Sequence, residues 1–535
     1  MKYGERRTFS DAPARALAGI ALLGLLASLA SCAYPRLADA PEKTAAFDRP
    51  GETPLGRRFE PALAAHPGES GLYVLKSGLD AFAARVGLIE RAERALDLQV
   101  YIFHGDVTGR LILGRLLGAA QRGVRVRLLL DDMGTAGLDA ELAAADAHPA
   151  LEVRLFNPFA RGLAGLARTL DLLARVRRLN HRMHNKLLTA DGAAGIVGGR
   201  NVGDEYFDAR TDVNFADLDL LAVGPVVAEL GASFDLYWNS PYAVPITAWE
   251  SLCKGPQELA RLCAELEALE AEQRNSPYAA RLREADIVQA AAAGELPLLW
   301  ARTHAVADLP RKIEARGDEV AETLLTTRMG PLLPEARSEI LIVSPYFVPR
   351  DAGVQSLVER AERGVRVRVL TNSLAATDVA AVHAGYAPSR RELLAGGVEL
   401  YELRPSGDAL VERHRRGLFG SSQASLHAKT FTLDRRTVFV GSLNLDPRSV
   451  VLNTELGLVV ESEELASDML RSFELLASPQ FSYRLELERS RNGTHLIWRG
   501  EESGRALELS TDPGTSWWQR VRVCLLSLLP IQGQL

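Results

Sequence analysis

Two histidines, each followed two residues later by a lysine, are the strongest chemical signal in this chain. His184-Asn185-Lys186 leads to Asp191 and then to Gly198-Gly199-Arg200-Asn201. His427-Ala428-Lys429 leads to Asp434 and then to Gly441-Ser442-Leu443-Asn444. Histidine and asparagine are 17 positions apart in both copies. Imidazole can act as a nucleophile or as a general acid/base near neutral pH, since its unperturbed pKa is about 6.5. Lysine ammonium and asparagine amide can neutralise charge on phosphoryl oxygens, as a metal would elsewhere. Two imidazoles, two ammoniums and two amides around one centre would suit displacement at a phosphodiester. The expected catalytic set is therefore His184, Lys186, Asn201, His427, Lys429 and Asn444, with no metal and no cofactor. Asp191 and Asp434 are expected to brace the fold beneath the site.

The elements that must position these groups also come in two copies. Leu98–Phe103 reads as a strand, followed by a helix to Gln121 and a second strand from Arg122-Gly123-Val124-Arg125-Val126. Ile340–Val343 and Tyr346-Phe347, a helix, and Arg363-Gly364-Val365-Arg366-Val367 repeat the pattern. Each helix ends at a glycine that hands over directly to a β-branched strand. His184 and His427 follow Arg122 and Arg363 by 62 and 64 positions. Two homologous α/β domains about a pseudo-twofold axis follow, spanning 68–225 and 336–485. In each, His and Lys two apart on a strand would share a face near the strand end. Residues 226–335, with charged helical sequence such as Glu258–Glu265, are expected to form a solvated helical connector. Residues 486–535 form a C-terminal extension.

The paired motif, HxKxxxxD followed by GGxN or GSxN, resembles the phospholipase D superfamily. The resemblance implies two phospholipase D-like α/β/α sandwich domains and a phosphohistidine intermediate. One histidine attacks phosphorus, and the other protonates the leaving alkoxide and then deprotonates the incoming alcohol. His184 is assigned as nucleophile and His427 as general acid/base, the reverse staying open. The family also orients its imidazole through a later acidic residue. Glu455, 11 positions after Asn444, occupies that place, and Asp217 stands at the matching place in the first half. Aspartate there departs from the family's glutamate.

The N-terminus reads as an export signal. Lys2, Arg6, Arg7 and Arg15 precede the apolar run Ala16–Ala30, which ends in Leu29-Ala30-Ser31-Cys32. This end resembles a bacterial lipobox, with Cys32 as the lipidated residue, residues 1–32 as signal peptide and 33–67 as tether. The implied location is a bacterial cell envelope, lipid-anchored to a membrane on its periplasmic face. An uncleaved anchor is the alternative. Net charge is −6, which argues against a chain built to track nucleic acid. The four cysteines show no zinc spacing; Cys253 and Cys263 could pair or stay free thiols. The C-terminal Trp517–Ile531 is aromatic, basic and apolar, too short to span a bilayer but suited to its interface. Arg161–Lys186 holds seven basic residues against Asp171 and could face anionic phospholipid.

Further stretches resemble the bacterial cardiolipin synthases of the C type. They are Arg154–Phe159, Gly198–Phe207, Thr371–Ala375, Ala424–Lys429, Leu445–Ser449 and the Trp-rich end. That resemblance runs from about Gly68 to Leu535 and includes Gly199 in place of serine. It implies transfer of a phosphatidyl group to phosphatidylglycerol, from phosphatidylethanolamine or a second phosphatidylglycerol. Phospholipid and a membrane are the expected partners, and no nucleic acid. A hydrolase releasing phosphatidate is the alternative, and a nuclease a more distant one.

Overall fold

The computed structural model describes residues 41–161, 169, 175–211, 214–294, 296–377, 379–405, 424–491 and 493–527. The signal segment and Cys32 lie outside them. The first half builds strands β1 (Ser70–Leu75), β2 (Ala95–Ile102), β3 (Arg125–Gly134), β4 (Leu151–Phe156), β5 (Leu187–Ala190), β6 (Ala194–Gly198), β7 (Asn214–Ala216), β8 (Asp219–Val223) and β9 (Ala243–Pro245). The second builds β10 (Leu299–Ala307), β11 (Glu339–Val343), β12 (Arg366–Asn372), β13 (Glu399–Leu403), β14 (Ala424–Leu426), β15 (Thr430–Leu433), β16 (Thr437–Gly441), β17 (Leu456–Glu461), β18 (Ser482–Ser490), β19 (Gly493–Glu502) and β20 (Arg505–Leu509).

The pairings make the repeat explicit. One lobe runs β4-β3-β2-β5-β6-β8-β1, and the other runs β13-β12-β11-β15-β16-β17-β10. In both, the β-α-β strands are parallel and the motif-bearing strands β5 and β15 join them antiparallel. The equivalent strands β1 and β10 pair antiparallel, Gly71 opposite Trp300, and so join the lobes into one sheet. Antiparallel pairing of equivalent strands is what a twofold relation between lobes produces. The helix-to-strand turns match as well. Gly123 and Gly364 take φ of 89° and 91°, a left-handed turn that costs glycine little. The amides of Val124 and Val365 then reach back to Ala119 O and Arg360 O, closing both helices alike.

Each sheet is covered on both faces. Helices Gly78–Arg91 and Val107–Gln121 bury Phe82, Ile89, Leu113 and Leu116 against the outer face of the first lobe. The central core is shared: Leu187, Val197 and Leu220 of one lobe cluster with Leu426, Val440 and Leu458 of the other. Apolar burial at about 25 cal/mol per Å² is the main force joining the halves.

Two boundary expectations need correction. Residues 226–335 are not a solvated connector throughout. Helix Pro225–Trp238 buries Leu230, Phe234, Tyr237 and Trp238 in the shared core, and β10 pairs with β17 as a full sheet strand. The expected mostly exposed helical character is confined to helix Pro256–Gln273, with Leu262 and Leu266 its buried residues, and the short helices Pro277–Arg283 and Asp286–Ala292 that follow it. The tether is not free from residue 41 onward. Arg127 Nη1 donates to Thr44 O, Arg154 Nη2 to Glu42 O, and Ala46 N to Asp235 Oδ2. Helix Pro54–Ala65, N-capped by Thr53, continues the docked strap. Each arginine shares its donors between the strap and the lobe, Arg127 also binding Asp97 and Arg154 also binding Trp238 O. Cys253 and Cys263 are free thiols.

Candidate functional site

His184 and Lys186 lie just before β5, and His427 and Lys429 just before β15. They were expected on the strands; they occupy short extended entries to them instead. The reason is that each entry pairs with the opposite lobe. β14, which runs into His427, pairs in parallel with β7, which runs into Asp217. His427 N donates to Ala216 O at 2.8 Å. The segment entering His184 bridges Thr454 in the same sense, with His184 N donating to Thr454 O at 2.8 Å and Thr454 N to Arg182 O at 2.9 Å.

These crossed bridges exchange the acidic partners. His184 Nδ1 lies 2.8 Å from Glu455 Oε2 of the second lobe. His427 Nδ1 lies 2.5 Å from Asp217 Oδ2 of the first lobe. With Nδ1–H facing a carboxyl group, Nε2 of each ring is left as the reactive nitrogen. Lys186 Nζ donates to His184 O at 2.7 Å, and Lys429 Nζ makes the equivalent bond to His427 O. Lys429 Nζ also stands 3.2 Å from His427 Nε2, which puts an ammonium beside the reactive nitrogen. Rings wall the imidazoles: Tyr101 packs edge-on to His184 at 5.1 Å, and Tyr206 and Phe215 pack on His427 at 5.4 and 5.0 Å.

The two asparagines are used differently. Asn201 accepts from Ile102 N and donates to the Tyr206 hydroxyl at 2.9 Å, so it also holds one ring of the wall. Asn444 N donates to Ser449 Oγ, while its buried Oδ1 has no partner among the described residues. Asp191 and Asp434 lie at the far ends of β5 and β15. Asp191 accepts from the amides of Glu93, Arg94 and Ala95, and Asp434 from those of Arg337, Ser338 and Glu339. Both take φ near 50° and tie the turn to the parallel strands.

The electrostatics of the two histidine–acid pairs differ. Burial, reinforced by Lys186, Lys429 and His427, holds His184 well below the usual imidazole range. Burial and Lys429 also lower His427, while Asp217 pulls it back up. Burial pushes Glu455 up to about 7 against the pull of Lys186 and the hydroxyls of Ser442 and Ser449. Burial also raises Asp217, but Lys429, His427 and Arg200 outweigh it and hold it below the usual carboxylate range. Burial brings Lys186 down to about 7. The centre thus holds two imidazoles lowered by burial, one facing a carboxyl group raised to about 7 and the other facing an ionised carboxylate.

Several supporting residues were not assigned to the site in the sequence. Asp308 Oδ2 accepts from Glu455 N at 2.7 Å, and Lys312 Nζ sits 3.0 Å from Asp308 Oδ1. Ser442 and Ser449 each donate to Glu455 at 2.5 Å. Arg182 and Asp131, both fully buried, fix the approach to His184: Nε donates to Asp131 at 2.9 Å, and Asp131 Oδ2 accepts from Met183 N at 2.8 Å. Arg161 binds Asp132 and Asp139, and Arg178 binds Asn157. The basic stretch read as a lipid-facing surface therefore directs three of its arginines inward, while most of residues 162–174 lie outside the described set. Removing Arg182 strands a buried carboxylate; Arg182→Met is expected to cost about 3–5 kcal/mol of stability, measured by urea denaturation. An unchanged unfolding midpoint would show that the pair does not anchor this segment.

Other histidines are spent structurally. His181 Nδ1 meets Leu452 O at 2.8 Å, and His304 faces Glu229 at the surface. His383 is held by Asp512 and Arg390. His104, Asp106 and Glu205 bring ligand atoms within 4.8 Å of one another. Asp106 is occupied there as the N-cap of helix Val107–Gln121.

Comparison with known proteins agrees with this geometry. The family model "Cardiolipin synthase, PLD-like domain" matches residues 86–238 and 330–477, one match per lobe. Cardiolipin synthase C of Escherichia coli (strain K12) is 44% identical over 472 residues, covering 88% of this chain and 98% of that protein. A Staphylococcus aureus cardiolipin synthase is 24% identical over 431 residues, covering 80% of this chain and 71% of that one. The crystal structure of phosphatidylserine synthase from Haemophilus influenzae Rd KW20 aligns with a TM-score of 0.53 at 15% identity, covering 90% of this chain and all of that one. This last similarity concerns the fold alone.

Proposed function

The chain belongs to the cardiolipin synthase family of PLD-like proteins, and from that premise we propose that it transfers a phosphatidyl group onto phosphatidylglycerol, forming cardiolipin. The observation that carries the reading is the crossed pair of histidines, each backed by an acid from the opposite lobe, with a lysine at each. In the first half-reaction His184 Nε2 attacks the donor phosphorus. The P–N bond forms, the bond from phosphorus to the headgroup oxygen breaks, and His427 gives its proton to the leaving alkoxide. In the second, His427 takes the proton of a phosphatidylglycerol hydroxyl, whose oxygen displaces His184. One phosphodiester replaces another, so the exchange is close to isoenergetic. Lys186, Lys429, Asn201 and Asn444 hold the phosphoryl oxygens through charge and hydrogen bonds. The donor is phosphatidylethanolamine or a second phosphatidylglycerol.

Attachment to a bacterial envelope membrane through lipidated Cys32 completes the reading; its support is the sequence alone. The aromatic wall of Tyr101, Tyr206 and Phe215 favours a lipid alcohol over water as acceptor, because it limits solvent at the phosphohistidine. The test is incubation of the purified protein with mixed vesicles of phosphatidylglycerol and phosphatidylethanolamine, with products read by mass spectrometry. Cardiolipin with free ethanolamine or glycerol is expected, and the released alcohol identifies the donor. Phosphatidate without cardiolipin would make the protein a hydrolase.

A further inference from the structure

Among the described residues, the large apolar side chains left exposed are not scattered. All but Leu236 lie on segments that contacts tie to the entries of the two histidines. Met133 is the penultimate residue of β3, and its sulfur accepts from the hydroxyl of Tyr101, the ring packed on His184. Val176 and Val451 flank His181: Asn180 N bonds to Val176 O, and His181 to Leu452 O beside Val451. Val379 lies in the loop after β12. That loop also supports the His427 entry, with Asn372 bonding Leu426 in both directions and Ser425 donating to Ala376 O.

The largest exposed groups, Trp517 at 59% and Trp518 at 72%, begin helix Trp517–Ser527. Its buried Val523 packs on Leu374, just after β12, and on Ala384 of helix Ala380–Tyr386. No helix of the described residues is long and apolar enough to cross a membrane, and eleven residues span only about 16 Å. Exposed Arg522 on this helix and Arg177 beside Val176 add positive charge among the apolar groups. Indole rings with neighbouring arginines are the composition of an element lying in the lipid headgroup layer.

We propose that these segments form a bilayer-docking face, with Trp517 and Trp518 inserted at the headgroup level of an anionic phospholipid membrane. It rests on the lipid reading of the active site. A phosphodiester on a lipid sits at the headgroup level while its acyl chains remain in the bilayer. Docking by this rim would bring the phosphorus to the histidines without extracting the chains.

The full-length protein is mixed with phosphatidylglycerol vesicles whose acyl chains carry bromine, and tryptophan emission is compared with that of Trp517→Phe/Trp518→Phe. Wild type should be quenched several-fold more strongly than the variant, in which Trp238, Trp249 and Trp498 remain buried and Trp300 half-buried. Bromine quenching falls off within a short distance, so it reports ring insertion rather than tethering of the chain elsewhere. In parallel, Trp517→Ala/Trp518→Ala should lower cardiolipin formation on vesicles by about tenfold and leave turnover of monomeric short-chain phosphatidylglycerol within about twofold. Equal quenching of the two proteins, unchanged turnover on vesicles, or equal loss on both substrates would overturn the docking face. A wild-type protein that makes no cardiolipin from either substrate would refute the functional reading instead, and the quenching comparison would still decide the docking.

Discussion

Replacing either catalytic histidine by alanine is expected to lower cardiolipin formation by about 10⁴-fold or more, with different intermediates left behind. His184→Ala removes the nitrogen that would bond phosphorus, so no covalent phosphatidyl-enzyme should accumulate at any time. His427→Ala keeps that nitrogen and its Glu455 partner but loses the proton donor for the leaving alkoxide. A donor with a good leaving group, such as a nitrophenyl phosphodiester lipid, needs little protonation. It should therefore phosphatidylate the His427→Ala protein in a burst, with almost no turnover. The proposed assignment rests on the two acids: burial and the lysines lower both imidazoles, His184 the further, but Asp217, held below the usual carboxylate range, draws His427 back up and so favours its protonated form. Rapid-quench mass spectrometry of the intact protein reads both outcomes. A covalent adduct in His184→Ala and none in His427→Ala would reverse the roles.

The second large effect is expected at Asp217. Asp217→Asn preserves the shape of the side chain but removes the charge behind His427 and permits the wrong imidazole tautomer. Loss of about 10³- to 10⁴-fold in kcat is expected, with KM little changed. Glu455→Gln should cost less, because burial already pushes that carboxyl up to about 7 and Ser442 and Ser449 share its hydrogen bonding. The asymmetry explains the departure of the first motif from serine. A Cβ at Gly199 would stand 2.1 Å from Asp217 Oδ1, so the glycine vacates the space its shorter acid occupies. Ser442, its equivalent, instead reaches a glutamate. Gly199→Ser should therefore reproduce much of the Asp217→Asn loss by displacing the carboxylate. Steady-state kinetics of the three variants test the order; equal losses at Asp217 and Glu455 would show that the two pairs are equivalent.

Much of this was legible in the sequence because the repeat is written twice. The β-α-β units, the two HxK motifs and their place at one sheet end follow from periodicity and spacing. Both acids were found through the family resemblance, which implies an orienting acid after each motif. Which histidine each acid serves was not legible, since chain spacing carries no record of which lobe a side chain faces. Asp308 and Lys312 act through a backbone amide on Glu455, and no motif marks such a contact. β10 was hidden because it leaves only a weak alternation around Arg302, Thr303 and His304, and charged helical sequence precedes it. The strap from residue 41 was read as free because its hold on the lobe comes from backbone carbonyls, which every sequence possesses.

The exchange of acids between lobes has a consequence for the cell that makes this protein. A ribosome releases the first lobe long before the second, and that lobe carries one complete-looking motif. Without Glu455 its His184 lacks an orienting partner, and without His427 it lacks a proton donor. On the proposed roles, an unfinished or truncated chain should be chemically silent toward the phospholipids around it. The reactive centre comes into being only when synthesis has ended and the halves have closed on one another, an interlock that keeps a lipid-cleaving intermediate from arising in an immature enzyme.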